Sequence, residues 1–462
     1  MVFSVVKGNV YADDTGAAVQ IPVLITEAGP LNPLIDYFLS MKRSLSWMEK
    51  VIRAVKLFCE YLEANPSATA EAEWVIFRNF SNALRSGTIN VKTRDDPSNL
   101  WWLPIKPREV QGMITNLGDF FDSLSPKDAP RASKFNPKYA GNAHDRLIDL
   151  LAYKYRKDRA FLGHSWSDKS EKKPRLIRGE REPSVLPKQP PAFPEDRFEE
   201  LLVKGFTVAG KPDYRGMLIT LLEFGGGVRV SEPFHIFVED VQRHWKDPNS
   251  ALVTIHHPSL GYAPNQWKNP HGHHGSREEY LALEFGLTPR HKMLGKLRAG
   301  WKNPALDEKW FIQVHWFPEK YGIWFLQIWE LYLEQISRIE RQHPYAFINF
   351  SGKHAGGIYK IAKYEEALKR AVEKIGLVYE KVYGSTPHGG RHAYGQRGKT
   401  AHIDPIILQR LMHHESPESQ LVYTQPQASE VQKALKEGTE ELRKRNLLGE
   451  ARPLLLPSRL NR

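Results

Sequence analysis

The chain has 462 residues, 41% of them hydrophobic and 26% charged, with a formal net charge of +12. That length suits two domains, the apolar content allows a sizeable core, and the basic excess favours an anionic partner, of which nucleic acid is the commonest soluble kind. Cys59 is the single cysteine. This excludes an intramolecular disulfide and a cysteine-built metal cluster, and its apolar helical setting marks it as a buried structural thiol.

The opening MVFSVVKGNVYADD lacks the basic start and apolar run of a secretory signal, and no uncharged apolar stretch reaches bilayer length. A cytosolic chain with no membrane partner is expected. Residues 2 to 26 read as short β segments, VFSVV and VQIPVLI, around the turn-like DDTG. Helical periodicity then covers 31 to 63 with a break near Arg43 and Ser44. Ser46 to Glu49 fits a capping box, and Val51, Val55, Phe58 and Leu62 fall on one face. Further helices are predicted at 71 to 86, 107 to 125 and 142 to 155. Residues 169 to 194 are rich in Lys, Arg and Pro, a linker composition.

A second pattern begins near Glu195, with helices predicted at 195 to 204 and 212 to 224. Strand-like ALVTIHH (251 to 257) and WFIQVHW (310 to 316) bracket a long polar stretch. Its His271, His273 and His274, with His256 and His257 nearby, have spacing that zinc could use. The segment is Gly- and Pro-rich and lacks a helical frame, so a solvated insertion or DNA-facing loop is the better reading, with no metal. A helix at about 319 to 339 follows, then the apolar run YAFINF (345 to 350), then a helix over YEEALKRAVEKIGL closed by Gly376. The aromatics from Trp310 to Trp329 suit a hairpin-and-helix core better than base stacking. From His388 onward the pattern is mostly helical. Residues 428 to 447 form a charged helix candidate with only a thin stripe of Val431, Leu435 and Leu442.

Four separated pieces carry chemistry: Gly227-Val228-Arg229-Val230-Ser231-Glu232, His388-Gly389-Gly390-Arg391-His392, Leu411-Met412-His413-His414, and Tyr423. Two arginines can hold one phosphate through bidentate, charge-assisted bonds at any accessible pH. His388 and Arg391, three apart, share a helix face. A histidine near neutrality can move a proton. A tyrosine hydroxyl is a weak nucleophile until positive charge lowers its pKa and a base accepts its proton. The expected product is a phosphotyrosine ester, which conserves the energy of the cut strand without ATP or another cofactor. Taken singly, Arg229 reads as a surface arginine, His388 and His414 as core histidines, and Tyr423 as a packing aromatic.

Together these pieces resemble the tyrosine recombinase, or phage integrase, family. GVRVSEPFHIFVEDV resembles its first arginine box, PHGGRHAYG its His-x-x-Arg-His box, and LQRLMHHESPESQLVYTQ its Leu-Leu-Gly-His box with the tyrosine beyond. His413 stands where the family has a glycine, which touches only local backbone geometry. The resemblance spans roughly 195 to 430, and more weakly the helical pattern of 31 to 160.

It implies a mainly α fold with a small β component (α+β), in which a helical core-binding domain and a catalytic domain form a C-shaped DNA clamp. The organisation expected is an N-terminal β extension (1–28), the core-binding domain (29–168), the linker (169–194), the catalytic domain (195–426) with a long hairpin insertion (258–309), and a C-terminal helix and tail (427–462). Arg229 and Arg391 would clamp the scissile phosphate, His388 would be the base for Tyr423, and His414 would hydrogen-bond the phosphate. Lys302, in preference to Lys309, would be the general acid. Glu232 would support Arg229, and His392 would be structural. The segment at 428 to 447 would dock on a neighbouring protomer, the alternative being a free solvated helix.

The implied activity is site-specific DNA recombination through a 3′-phosphotyrosine, for integration or excision of a mobile element, by a nucleoid-associated bacterial protein. The implied partners are duplex DNA, further copies of the chain (dimer to tetramer) and accessory DNA-bending proteins. Type IB topoisomerases and telomere resolvases share this chemistry, and a non-enzymatic DNA-binding regulator is the alternative of another class.

Overall fold

A computed structural model describes residues 3–11, 18–41, 43–66, 71–124, 132–138, 175–177, 190–350, 352–415 and 428–444, with 151, 153–155, 157 and 158. The chain divides into two units, Met1–Val185 and Leu186–Arg462. The predicted helix at 142 to 155 and the linker at 169 to 194 lie largely outside the described residues, as do the last eighteen residues and Tyr423.

In the first unit, β1 (Ser4–Tyr11) and β2 (Ala18–Thr26) pair antiparallel from Ser4 with Ile25 to Tyr11 with Ala18. The helices α1 (Asn32–Met41), α2 (Leu45–Ala64), α3 (Glu73–Ser86) and α4 (Pro107–Ser123) follow. Met48, Val51, Ile52, Val55 and Phe58 recur at helical spacing on α2 and are buried. Ile21, Val23 and Leu24 of β2 enter the same core. Phe58 anchors it, its ring lying 5.1–5.7 Å from Phe77, Phe80, Phe121 and Phe135 in edge-on contacts. Truncating such a ring to alanine costs roughly 3–5 kcal/mol. Cys59 is half-buried beside this core, and burial pushes its thiol up to about 11. The N-cap of α2 is Ser44, whose hydroxyl accepts from the Trp47 N–H at 3.4 Å. The helix thus starts before the predicted Ser46 box, because Ser44 satisfies the first turn's orphan donors.

In the second unit, residues 195 to 204 form not one helix but successive 3₁₀, α and π turns (Glu195–Arg197, Phe198–Glu200, Leu201–Gly205). α5 (Tyr214–Phe224) is buried on every side from Gly216 onward. Phe224 stacks on Phe198 at 3.5 Å. A three-stranded antiparallel sheet runs β3 (Val241–Arg243), β4 (Ala251–His256), β5 (Phe311–Gln313). Ala251, Val253 and Ile255 alternate into the core. The run 310 to 316 pairs for only three residues, although the Val314 N–H still reaches the Val253 carbonyl at 2.9 Å. Phe325 and Trp329 fill the core as expected, whereas Trp310 is exposed.

The connection between β4 and β5 is not solvated throughout. His271, His273 and His274 are exposed, but α6 (Arg277–Phe285) is closed by a Ser276–Glu279 capping box and packs Leu281 against Phe237 and Tyr345. Arg277 and Arg290 are buried. Arg290 donates to the carbonyls of Phe234, Leu297 and Tyr359 at 2.9–3.0 Å. Arg277 pairs with Asp240 and donates to the His235 carbonyl at 3.2 Å. Sequence spacing missed this because a buried arginine is betrayed only by its long-range carbonyl partners.

α7 (Lys320–Ile336) and α8 (Ile361–Lys374) complete the core, with 345–348 buried between them in sequence. Gly376, at φ 78°, lies just past α8 and donates to the Glu373 carbonyl at 3.0 Å. α9 (Pro387–Thr400), α10 (Pro405–Leu411) and α11 (Ala428–Lys444) follow. Leu435 and Leu442 of α11 are exposed. No helix among the described residues is long and apolar enough to cross a membrane.

Candidate functional site

The site lies within the second unit and is built from the turn after α5, the N-terminal half of α9, the turn after α10, and the β4–β5 connection.

The turn begins at Gly227, whose φ of 68° favours glycine. A Cβ there would lie 2.7 Å from the Tyr394 ring. The turn projects Arg229, and Glu232, fully buried, locks it: one carboxylate oxygen accepts the Arg229 backbone N–H at 2.7 Å, the other its Nη1 at 2.8 Å. The predicted support of Arg229 by Glu232 is therefore a two-point contact.

On α9, Pro387 occupies the first turn, where its missing N–H costs nothing. Gly389 is required by close approach, since a Cβ would meet the Gly384 carbonyl at 1.6 Å. Arg391 is buried. Its Nη1 donates to the Gly227 carbonyl and its Nη2 to the Met412 carbonyl at 2.6 Å. One guanidinium thereby ties the Arg229 turn to the His413–His414 turn.

His388 opens to the surface. Local desolvation, then the charges of Arg391, Lys302, Lys381 and Arg229, hold its pKa below the ordinary histidine value. His392 lies edge-on to it at 5.0 Å and is brought down to about 4 by burial and the neighbouring charges of His388, Arg391 and Lys381.

α10 is capped by Asp404, whose Oδ1 accepts the Ile406 N–H at 2.7 Å. Leu408 and Met412 pack on Tyr394. The turn that follows buries both His413 and His414. Burial, then Arg391 and Arg229, bring His414 down to about 3. Its N–H donates to the Gln409 carbonyl at 3.0 Å, and Gln409 Nε2 donates back to its carbonyl at 3.1 Å.

The β4–β5 connection returns through Lys302, which is exposed. Three residues on, the Ala305 N–H donates to the His413 carbonyl at 3.2 Å. Lys309 is also exposed, on the Asp307 turn that leads into β5, where its N–H donates to Asp307 Oδ1 at 3.0 Å. Lys302 is thus the predicted lysine whose charge bears on His388.

Arg229, Arg391, His388, His414 and Lys302 converge from segments up to 185 residues apart, from Arg229 to His414. Two residues escaped the sequence reading. Lys381 reaches the site electrostatically from a 3₁₀ turn, Lys381–Tyr383, that carried no motif. His413 contributes a buried imidazole as well as the turn. Its place beside His414 in a phosphate-box motif was the available signal. Among the described residues, no three His, Cys, Asp or Glu side chains are grouped as a metal ion would require.

No family model matches the chain, and no curated protein does. Solved structures do. The chain is similar to XerA recombinase at 14% identity and a TM-score of 0.33, covering 88% of this chain and 97% of that one. It is similar to XerH site-specific recombinase bound to difH substrate in a pre-cleavage complex at 14% identity and 0.35, with coverages of 78% and 92%. It is also similar to the Tn1549 transposon integrase in complex with transposon right end DNA at 14% and 0.35, with coverages of 80% and 100%. Scores this low leave the assignment of function to the residues themselves.

Proposed function

We propose that this chain is a tyrosine recombinase that cuts and rejoins duplex DNA through a 3′-phosphotyrosine on Tyr423, serving integration or excision of a mobile element. The observation that carries the reading is that the buried Arg391 guanidinium, one helical turn after His388, ties the Arg229 turn to the His413–His414 turn through the Gly227 and Met412 carbonyls.

Two fixed guanidinium groups suit the non-bridging oxygens of one phosphodiester, and they stabilise charge that develops in the transition state without reorganising. His388, neutral at pH 7, is suited to accept the Tyr423 proton as the hydroxyl attacks phosphorus. Lys302 is suited to protonate the departing 5′-oxygen. The bond formed is a phosphotyrosine ester, the bond broken is P–O5′, and religation reverses both, so no external energy source enters. Glu232 and His392 position Arg229 and His388. Duplex DNA is the partner, bound largely through phosphate contacts and therefore sensitive to salt. Strand exchange between two sites requires two or four copies of the chain, assembled on DNA in the nucleoid.

Covalent trapping tests this reading. Wild type and Tyr423→Phe are incubated with nicked suicide duplexes tiled across the DNA flanking the gene and resolved on denaturing gels. An adduct that disappears in Tyr423→Phe is the expected result. Salt-sensitive binding without any adduct would favour a non-enzymatic regulator, and relaxation of any supercoiled plasmid by dilute monomer would favour a topoisomerase.

A further inference from the structure

His413 stands at φ 53°, in the left-handed region that penalises a side chain and that glycine occupies freely. Its backbone makes the bonds the turn needs: its N–H donates to the Arg410 carbonyl at 3.0 Å and its carbonyl accepts from Ala305 at 3.2 Å. Glycine could make both. The imidazole therefore needs its own explanation.

That imidazole is 5% exposed, and its Nε2 has no hydrogen-bond partner among the described residues. An orphaned buried polar atom opposes folding. The strained backbone and the unpaired nitrogen thus both count against histidine here, and neither is offset by a hydrogen bond of the ring among the described residues. The ring lines a groove of about 680 Å³ together with His315, Gln409, Arg410 and His414, a lining that also includes Asp307 and Glu415. The His315 ring lies 6.3 Å away. Burial, then the charges of Arg391, His315, Arg229 and His414, bring His413 down to about 3, so it is neutral and carries one N–H.

We propose that His413 is an anion-binding residue of this groove, its Nε2–H donating to a non-bridging oxygen of a DNA phosphodiester. A bound phosphate would satisfy the orphaned nitrogen and offset the cationic field that now acts on the ring. The strained histidine is thereby explained by function, as strain at binding sites often is. The identity of the anion as a DNA phosphodiester rests on the recombinase reading above.

Two substitutions and one titration test it. His413→Gly removes the imidazole and relieves the backbone. His413→Asn tolerates the left-handed turn and keeps an N–H donor. Adduct formation on a suicide duplex should fall about 10²-fold in His413→Gly and recover partly in His413→Asn. Cleavage within a few fold of wild type in His413→Gly overturns the proposal, as does equal loss in both variants that tracks an equal loss of melting temperature.

Separately, the full chain labelled with ¹³C at histidine Cε1 is titrated with inorganic phosphate. The resonance missing from His413→Gly should move, and one that stays fixed overturns the proposal. If wild type forms no adduct on any duplex, the recombinase reading falls, and this titration still decides whether His413 binds an anion.

Discussion

Glu232 holds Arg229 at two points, taking the backbone N–H on one oxygen and Nη1 on the other, at 2.7 and 2.8 Å. The pair is close in sequence but not a surface ion pair, since the carboxylate is buried. Its worth lies in direction: the buried carboxylate fixes the backbone and the guanidinium of Arg229 together.

Glu232→Gln should therefore slow covalent adduct formation by roughly 10- to 100-fold, matching the ~1.5–3 kcal/mol of a charge-assisted hydrogen bond. Duplex affinity should change little. Single-turnover trapping alongside a filter-binding titration checks both, and equal losses in rate and affinity would refute a positioning role.

Arg391 bridges the Gly227 and Met412 carbonyls through two different nitrogens. A lysine ammonium has no planar fork to span them and still face a phosphate. Arg391→Lys should thus lose about 10²–10³ in cleavage. It should also lower the melting temperature, because one buried carbonyl is left unpaired. Trapping and calorimetry on the full chain measure the two effects, and retention of cleavage within a few fold would show that the clamp is misassigned.

Much of this was readable from sequence because the governing interactions are local or strongly periodic. The α2 stripe of Val51, Val55 and Phe58 follows from helical spacing. His388 and Arg391 share a face for the same reason. Gly227 opens the turn that the first arginine box marks. What escaped was long-range. Arg277 and Arg290 look like surface arginines until carbonyls from Phe234, His235 and Tyr359 surround them. Ser46 lost the cap of α2 to Ser44 by a shift of two residues, which periodicity cannot fix. His413 reads as a glycine substitute until its ring is seen buried 6.3 Å from that of His315.

The histidines set the acid limit of the protein. His413 and His414 are held at about 3 and His343 at about 4, all three buried and all chiefly through burial. In the unfolded chain each titrates near 6.5. Their neutral folded forms therefore stabilise the protein fully above about pH 6.5, and that stability is lost as pH falls toward 4, because the unfolded state takes up the protons first. Each buried histidine contributes a slope of about 1.4 kcal/mol per pH unit in that window. The melting temperature of the second unit should drop by about 10 °C or more between pH 7 and 5. A flat profile from differential scanning calorimetry over that range would exclude buried neutral histidines.

Cleavage should show a different profile. His388 is held below the ordinary value, chiefly by desolvation, and the proposed base is its neutral form. The rate should rise with pH through a midpoint below 6.5 and then level off. His388→Gln should lower the plateau and abolish the rising limb. A wild-type midpoint above 6.5 would mean that another group is the base.

Arg290 makes the β4–β5 connection a strut. Burial lowers its pKa only to about 10, so it stays charged, with three carbonyls as partners and the rings of Phe234 and Tyr345 at 5.3 and 5.6 Å. Arg290→Ala strands those carbonyls and opens a cavity, for a loss on the order of 3–5 kcal/mol. Arg290→Met, which fills the volume but not the bonds, should recover part of it. Urea titrations of both variants decide the matter, with equal stability of alanine and methionine as the contrary result.

Lys302 and Lys309 make the sharpest contrast, because a general acid is needed only when the leaving group is poor. Lys302 bears on His388, while Lys309 sits on the Asp307 turn. Lys302→Ala should slow cleavage of an ordinary duplex by about 10²–10⁴-fold, and Lys309→Ala should change it by no more than about twofold. Replacing the bridging 5′-oxygen by sulfur gives a thiolate leaving group that departs unprotonated, a thiol pKa lying near 8.5. On that substrate Lys302→Ala should cleave at close to the wild-type rate. Rescue assigns the proton to Lys302. Slow cleavage of both substrates would instead mean that Lys302 holds the phosphate, and rescue of Lys309→Ala alone would move the acid to the other lysine.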